Sequence, residues 1–233
     1  DYACCGTSAS LTLGALNAVA TPHRYRDAMD KDSASSGWRA RAIGFAEAAA
    51  RAVGYDKTHI TRVVAYREID ALLDSMGTER LDALEISAGW KWRQRQWGSF
   101  TEMNWPEYDI CNDVLDRKFD VIIADNVWEH LLYPYRAARH VREMLKPGGV
   151  FINITPFLIR YHPIPTDCSR WTRLGMTHFL EECGFDPARI ETGGWGNAGA
   201  VKANLFRWSR AGWRKRLPND ERFPVTIWAI ART

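Results

Sequence analysis

The loop from Tyr161 to Trp171 places five ligand-binding or reactive side chains together: Tyr161, His162, Asp167, Arg170 and Trp171. An imidazole titrates near neutrality, so His162 is suited to take a proton from a hydroxyl group. Asp167 can orient that imidazole or bind a ligand directly. Arg170 can fix a phosphate or carboxylate, or pair with Asp167. Tyr161 and Trp171 offer flat apolar contact. The competing reading is a structural loop held by Pro156, Pro163 and Pro165.

A second set of polar groups lies in or just beyond apolar runs. Glu85 lies within Leu81–Ser87, where a carboxylate is costly without a partner. That run closes in the small residues Ser87-Ala88-Gly89, and a glycine there lets a ligand approach the backbone closely. Asp125 and Asn126 follow the continuous apolar run Phe119–Ala124, and the pair Glu129-His130 comes next. His130 can act as a base, although orienting its loop is the favoured role.

These groups need elements to hold them. The Ala-rich stretch Gly37–Val53 closes at Gly54 and predicts a helix. Thr58–Met76 carries Ile69, Leu72, Leu73 and Met76 at helical spacing, with Gly77 as terminator. From Leu81 strands and helices alternate. Strands are expected at Leu81–Ser87, Phe100–Asn104, Tyr108–Cys111, Phe119–Ala124, Val150–Thr155, Ala188–Thr192 and Val225–Ala231. Helices are expected at Tyr135–Leu145, Leu174–Cys183 and Ala198–Trp208. Such alternation predicts a mostly parallel sheet covered by helices, with ligands beyond the carboxyl ends of its strands.

The 233 residues, 46% hydrophobic and 25% charged, have the composition of a soluble globular protein, and no apolar run is long enough to span a membrane. A net charge of +3 is too slight to suggest nucleic acid. The basic cluster Arg207–Arg216, interleaved with Trp208 and Trp213, reads better as a solvated helix face. Five cysteines, Cys4 and Cys5 adjacent and Cys111, Cys168 and Cys183 scattered, have no metal-type repeat and fit reduced thiols in the cytoplasm. Of eleven tryptophans, Trp90, Trp92, Trp105, Trp171 and Trp195 fall in expected loops, where a pocket-lining role competes with a core role.

LeuGluIleSerAlaGly at 84–89, PheAspValIleIleAlaAspAsnValTrpGluHis at 119–130 and MetLeuLysProGlyGlyValPheIleAsnIleThrPro at 144–156 resemble the class I S-adenosylmethionine-dependent methyltransferases. The later 157–172 segment and the helix ending GluCysGlyPhe are similar to a subgroup associated with sugar and secondary-metabolite pathways. The resemblance covers Leu81 to about Phe185. It departs from the family in the first loop, where Ser87-Ala88-Gly89 replaces Gly-x-Gly and a tryptophan-rich insert follows. It departs again at Asn104, where an aspartate is usual.

The resemblance implies an α/β fold: a doubly wound, mostly parallel, seven-stranded Rossmann-like sheet with an N-terminal helical extension. It divides the chain into an arm or cap at 1–78 and a methyltransferase domain at 79–233. It implies S-adenosylmethionine as cofactor, bound by Glu85, Ser87, Ala88, Gly89, Glu102, Asn104, Asp109, Asp125 and Asn126. Glu102 or Asn104 would take the ribose hydroxyls, Asp109 the adenine amino group with Ile110 against the ring, and Asp125 the methionine part. The acceptor would be a small molecule, first a hydroxyl of a sugar or secondary metabolite. His162, Asp167 and His130 would be the catalytic candidates, and Tyr161, Arg170 and Trp171 would bind the acceptor.

A sulfonium already activates its methyl group, so no metal is expected. Neither nucleic acid nor membrane is an expected partner, and the reading leaves room for a homodimer. The alternative is a non-catalytic, methyltransferase-like binding or partner subunit. A nicotinamide oxidoreductase fits poorly, because the three-glycine phosphate turn is absent.

Overall fold

A computed structural model describes residues 55–212 and 217–233. The helix expected at Gly37–Val53 therefore lies outside the described residues, as does part of the basic cluster. The described residues all belong to one compact unit.

Eight strands and four α-helices are described, in the order β1 (Asp56–His59), α1 (Ile60–Met76), β2 (Asp82–Ile86), β3 (Ser99–Met103), β4 (Phe119–Asp125), α2 (Pro134–Met144), β5 (Leu145–Pro156), α3 (Arg173–Glu182), β6 (Ile190–Trp195), α4 (Ala198–Phe206), β7 (Arg210–Gly212) and β8 (Thr226–Arg232). Six strands form the main sheet in the order β3-β2-β4-β5-β8-β6. The first four of these are mutually parallel, and β8 runs antiparallel to both β5 and β6. This is the doubly wound α/β sheet expected, with six strands among the described residues instead of seven. The strand expected at Tyr108–Cys111 is a turn, because Asp109 Oδ1 accepts from the Cys111 amide at 2.9 Å and draws the backbone away from a ladder.

Alternation along the strands splits the core between the two faces. On one face, Ile122 and Ala124 of β4 pack with Phe151 and with α2 and α3 through Val141, Met176 and Phe179. On the other, Val121 and Ile123 pack with Ile152, Trp228 and the α1 residues Tyr66, Ile69 and Leu73. The continuous apolar sequence of β4 follows from burial on both sides.

Helix α1, expected to belong to the arm, is thus built into the sheet body. It ends at Gly77, whose φ of 66° is the left-handed conformation that glycine adopts without steric cost. Its start has no side-chain cap. Instead the Ile60 amide donates to the Ser209 carbonyl at 2.9 Å, within a small ribbon that pairs β1 with β7. Neither ribbon strand was expected from sequence. Helix α3 is capped by Thr172, whose Oγ1 accepts from Gly175 N at 3.0 Å.

The strand order reverses between β2 and β4, which are neighbours in the sheet while β3 lies on the far side of β2. The carboxyl ends of β2 and β4 therefore flank the crevice where sheets of this kind bind ligands. Among the described residues no helix is long and apolar enough to cross a membrane. Cys111, Cys168 and Cys183 are free thiols.

Candidate functional site

Strand β2 delivers Glu85, 1% exposed, to the crevice. Its Oε1 accepts from the Gly89 amide at 2.9 Å, and its buried Oε2 has no partner. Burial pushes the carboxyl up to about 7, against the Gly89 amide, which works to lower it. The turn after β2 is held from both sides. Ser87, at φ 56°, donates its amide to the Met103 carbonyl at 2.8 Å. Ala88 donates to Asn104 Oδ1 at 2.7 Å, and Asn104 Nδ2 reaches Glu102 Oε2 at 3.3 Å. Asn104 thus ties the first loop to the end of β3, and Glu102 carries the charge there, paired with Arg93 Nη2 at 2.7 Å.

Asp125 ends β4 and Asn126 follows it at φ 56°. Asp125 accepts from the Tyr66 hydroxyl at 2.5 Å and from Asn126 Nδ2 at 2.6 Å, with Arg62 Nε at 3.6 Å. By strand alternation Glu85 and Asp125 lie on the α1 face of the sheet. Two carboxylates at the switch point, one with a buried unpaired oxygen, suit a cationic ligand. The residues present therefore fit S-adenosylmethionine.

Asp109 is engaged within its own turn. Both its carboxylate oxygens serve its own turn, at Cys111 N and Asn112 Nδ2, and Ile110 is buried in the core. Trp171, expected to bind the acceptor, is likewise a core residue, 9% exposed and packed on Phe179 at 5.3 Å between ring centroids. Tyr161 is 71% exposed. Asp167 and Arg170 form a two-pronged ion pair, and Asp167 Oδ2 accepts the backbone amide of His162 at 2.9 Å. Asp167 therefore fixes the loop bearing His162, with no hydrogen bond from its carboxylate to the imidazole ring. Burial works to raise the Asp167 pKa, and the Arg170 guanidinium outweighs it, leaving the carboxyl below its ordinary range.

The histidines do converge. His130 and His162 meet edge to face at 5.0 Å between ring centroids. His130 Nδ1 is hydrogen-bonded to the Thr166 carbonyl, and Thr166 Oγ1 donates back to the His130 carbonyl at 2.5 Å. Burial lowers the pKa of both imidazoles from the ordinary value. Beside them Glu129 is 1% exposed with neither carboxylate oxygen hydrogen-bonded, and burial pushes it up to about 8. These three groups border a cavity of about 290 Å³ that is also lined by His59, Arg62, Asn126 and Trp208. His59, Arg62 and Trp208 continue into a groove of about 810 Å³ walled by Tyr66 and Trp90. Burial, ahead of the nearby arginines, lowers His59 to about 4, so it is neutral at ordinary pH.

Of the tryptophan-rich insert, Trp90 lines that groove, and the residues after it pack on α1. Lys91 Nζ reaches Asp70 Oδ2 at 2.6 Å, and Arg95 pairs with Asp70 at 3.0 Å and Asp74 at 2.5 Å. Trp92 is buried against Tyr66, while Trp90 stays 61% exposed beside the groove.

Sequence reasoning missed His59, Arg62, Tyr66, Trp208 and the role of Glu129. The first four come from β1, α1 and the segment after α4, which reach the site only through the β1–β7 ribbon and the packing of α1. Glu129 had a legible signal, an acid directly between Trp128 and His130, but it was read only as part of a pair.

Residues 67–151 match the family described as "Methyltransferase domain". No curated protein matches the chain. Among solved structures, an S-adenosylmethionine-dependent methyltransferase from Mesorhizobium loti is 16% identical, with 70% of this chain and 96% of that one covered and a TM-score of 0.49. One from Archaeoglobus fulgidus is 12% identical, over 72% and 94% of the two chains, with a TM-score of 0.46. Phosphoethanolamine N-methyltransferase 2 of Haemonchus contortus, in complex with S-adenosyl-L-methionine, is 12% identical over 72% and 52%, with a TM-score of 0.48. The match to a methyltransferase domain thus covers the segment 67–151, which runs from α1 into β5 and carries the strand-end carboxylates Glu85 and Asp125.

Proposed function

We propose that this methyltransferase transfers its methyl group to an oxygen of a small molecule held in the cavity between Asn126, the Glu129–His130 turn, His162 and Trp208. The observation that supports this reading is the meeting of two neutral imidazoles in a cavity that begins at the end of β4. S-adenosylmethionine supplies a methyl group already activated by a sulfonium.

The chain contributes alignment and proton handling. Glu85 and Asp125 place negative charge at the switch point, where it favours a cationic ligand, and Tyr66 holds Asp125 in one orientation. Asn104 keeps the Ser87–Gly89 turn open by anchoring the Ala88 amide. His162 accepts the proton of the acceptor hydroxyl, since its lowered pKa keeps it unprotonated at neutrality. Trp208 and His59 give the acceptor flat contact. The 290 Å³ cavity suits a small-molecule acceptor, such as one sugar ring, more than a polymer.

The test is transfer of labelled methyl to a panel of hydroxylated small molecules, with amines in parallel. The reading expects labelled ethers and a rate for His162→Ala reduced by roughly 100-fold at neutral pH, partly recovered as pH rises. Labelled amines with an unaffected His162→Ala variant would show that nitrogen is the acceptor and that the imidazole takes no proton.

A further inference from the structure

Glu129, His130 and His162 can each direct one donor atom to a common point, with all three atoms within 4.8 Å of one another. The hydrogen-bond pattern around them is that of a ligand set rather than of a packed polar cluster. Glu129 is 1% exposed and both its carboxylate oxygens lack a hydrogen-bond partner. A buried carboxyl with no hydrogen bond from another residue is among the costlier arrangements a fold can hold. It would be replaced by an apolar residue at no loss unless something binds there. His130 has its Nδ1 engaged by the Thr166 carbonyl, which accepts and so places the proton on Nδ1. The lone pair is then on Nε2, and Nε2 is the atom that faces Glu129 Oε1, at 3.6 Å. An imidazole oriented by a backbone carbonyl through one nitrogen, with the other bare, is the usual outer-shell arrangement of a metal-ligating histidine.

We propose that Glu129, His130 and His162 bind a divalent first-row transition cation, of the Zn²⁺ or Fe²⁺ type, at the floor of the acceptor cavity. Two imidazoles and one carboxylate suit such cations and not Mg²⁺ or Ca²⁺, which prefer all-oxygen sets. Ligands about 2.0–2.1 Å from a tetrahedral centre stand about 3.3 Å apart, so the Glu129–His130 separation already approaches the bound geometry. The His162 donor lies within 4.8 Å of the other two.

The surrounding charges permit it. Arg62 lies in the same cavity but is directed to Asp125, and Arg170 is consumed by its two-pronged pair with Asp167. Three protein ligands leave at least one position open toward the cavity, where an acceptor oxygen would complete the shell. This keeps the cavity and the hydroxyl acceptor of the proposed function, on which its chemical role rests, and replaces the base role given there to His162. With the cation bound, His162 is a ligand, and the acidity of the acceptor comes from the cation instead of from an imidazole base. The site runs against the expectation that the reaction needs no metal.

The experiment is titration of the purified, chelator-treated chain with Co²⁺, followed by visible ligand-field absorption, without cofactor or acceptor. The expected result is one Co²⁺ per chain, displaced by Zn²⁺. In Glu129→Gln, which preserves shape, affinity should fall by roughly 100-fold, with a circular dichroism spectrum and an S-adenosylmethionine affinity equal to those of the wild type. His162→Asn should weaken binding likewise. No saturable Co²⁺ signal, or equal binding by Glu129→Gln, would overturn the site and leave the methyl-transfer reading standing. Co²⁺ bound as expected, with no methylated product from any hydroxylated acceptor, would keep the site and remove the acceptor chemistry assigned to it.

Discussion

The Tyr66 hydroxyl donates to Asp125 Oδ2 at 2.5 Å and so ties the middle of α1 to the carboxyl end of β4. Burial, ahead of the Asp125 charge, raises the phenol pKa, so the donor is present at any ordinary pH. Hydrogen bonds to a charged group contribute about 1.5–3 kcal/mol. Tyr66→Phe should lower S-adenosylmethionine affinity by roughly 10-fold, because Asp125 keeps only Asn126 and a loose Arg62 contact. Calorimetric titration of the variant checks this, and an unchanged affinity would mean that Asp125 needs no help from α1.

Glu85 links cofactor binding to pH. Its folded pKa, raised to about 7 by burial, exceeds the ordinary 4.5. Between those values the folded state holds more protons than the unfolded state, so stability falls as pH rises from 4.5 to 7 and levels off above. A cationic ligand prefers the ionised carboxylate. Binding of S-adenosylmethionine at pH 6.5 should therefore release a proton, and affinity should rise between pH 6 and 8. Titrations in buffers of different ionisation enthalpy measure that release. Glu85→Gln should move the two properties in opposite directions, gaining on the order of 1 kcal/mol of stability at pH 8 while binding the cofactor more weakly. A variant that loses stability at pH 8 would contradict this assignment.

Much of this is legible in the amino-acid sequence. The β4 strand, expected at Phe119–Ala124, is Phe119–Asp125, because a run buried on both faces has one periodicity and sharp ends. The residues at strand ends followed directly, since the crevice rule needs only the strands. The turn at Asp109 and the burial of Trp171 are not legible in the sequence, for a different reason. A single side chain decides whether a short segment joins a ladder or turns on itself, and at Asp109 the side chain won. Trp171 precedes a capped helix whose Phe179 draws it into the core. His59 and Trp208 were invisible, because β1 and β7 meet across most of the chain and neither carries a local signal for its partner.

The packing of the insert depends on Asp70, which receives both Lys91 and Arg95. Partly exposed ion pairs contribute about 0.2–1 kcal/mol each, so Asp70→Ala should lower stability by about 1 kcal/mol or less. The larger effect should be local. Trypsin should cut after Lys91, Arg93 or Arg95 several-fold faster in the variant, which gel analysis of timed digests will show. An unchanged cleavage rate would mean that Trp92, buried on Tyr66, holds the insert unaided.

Gly193 of β6 tests the packing of the sheet edge. A methyl group there would stand 2.2 Å from Trp228 Cε2, inside the indole ring. Overpacking of this kind typically costs about 1–3 kcal/mol. Gly193→Ala should therefore destabilise strongly in urea unfolding, and Trp228→Leu in the same chain should recover part of the loss, a coupling that two independent sites would not show.

If the carboxyl ends of β2 and β4 bind S-adenosylmethionine, isothermal titration of the wild-type chain with S-adenosylmethionine and with its demethylated product will detect it. One saturable site for each ligand, weakened at least 10-fold in Asp125→Ala, is the predicted result; no binding of either at millimolar concentration by the folded chain would contradict it.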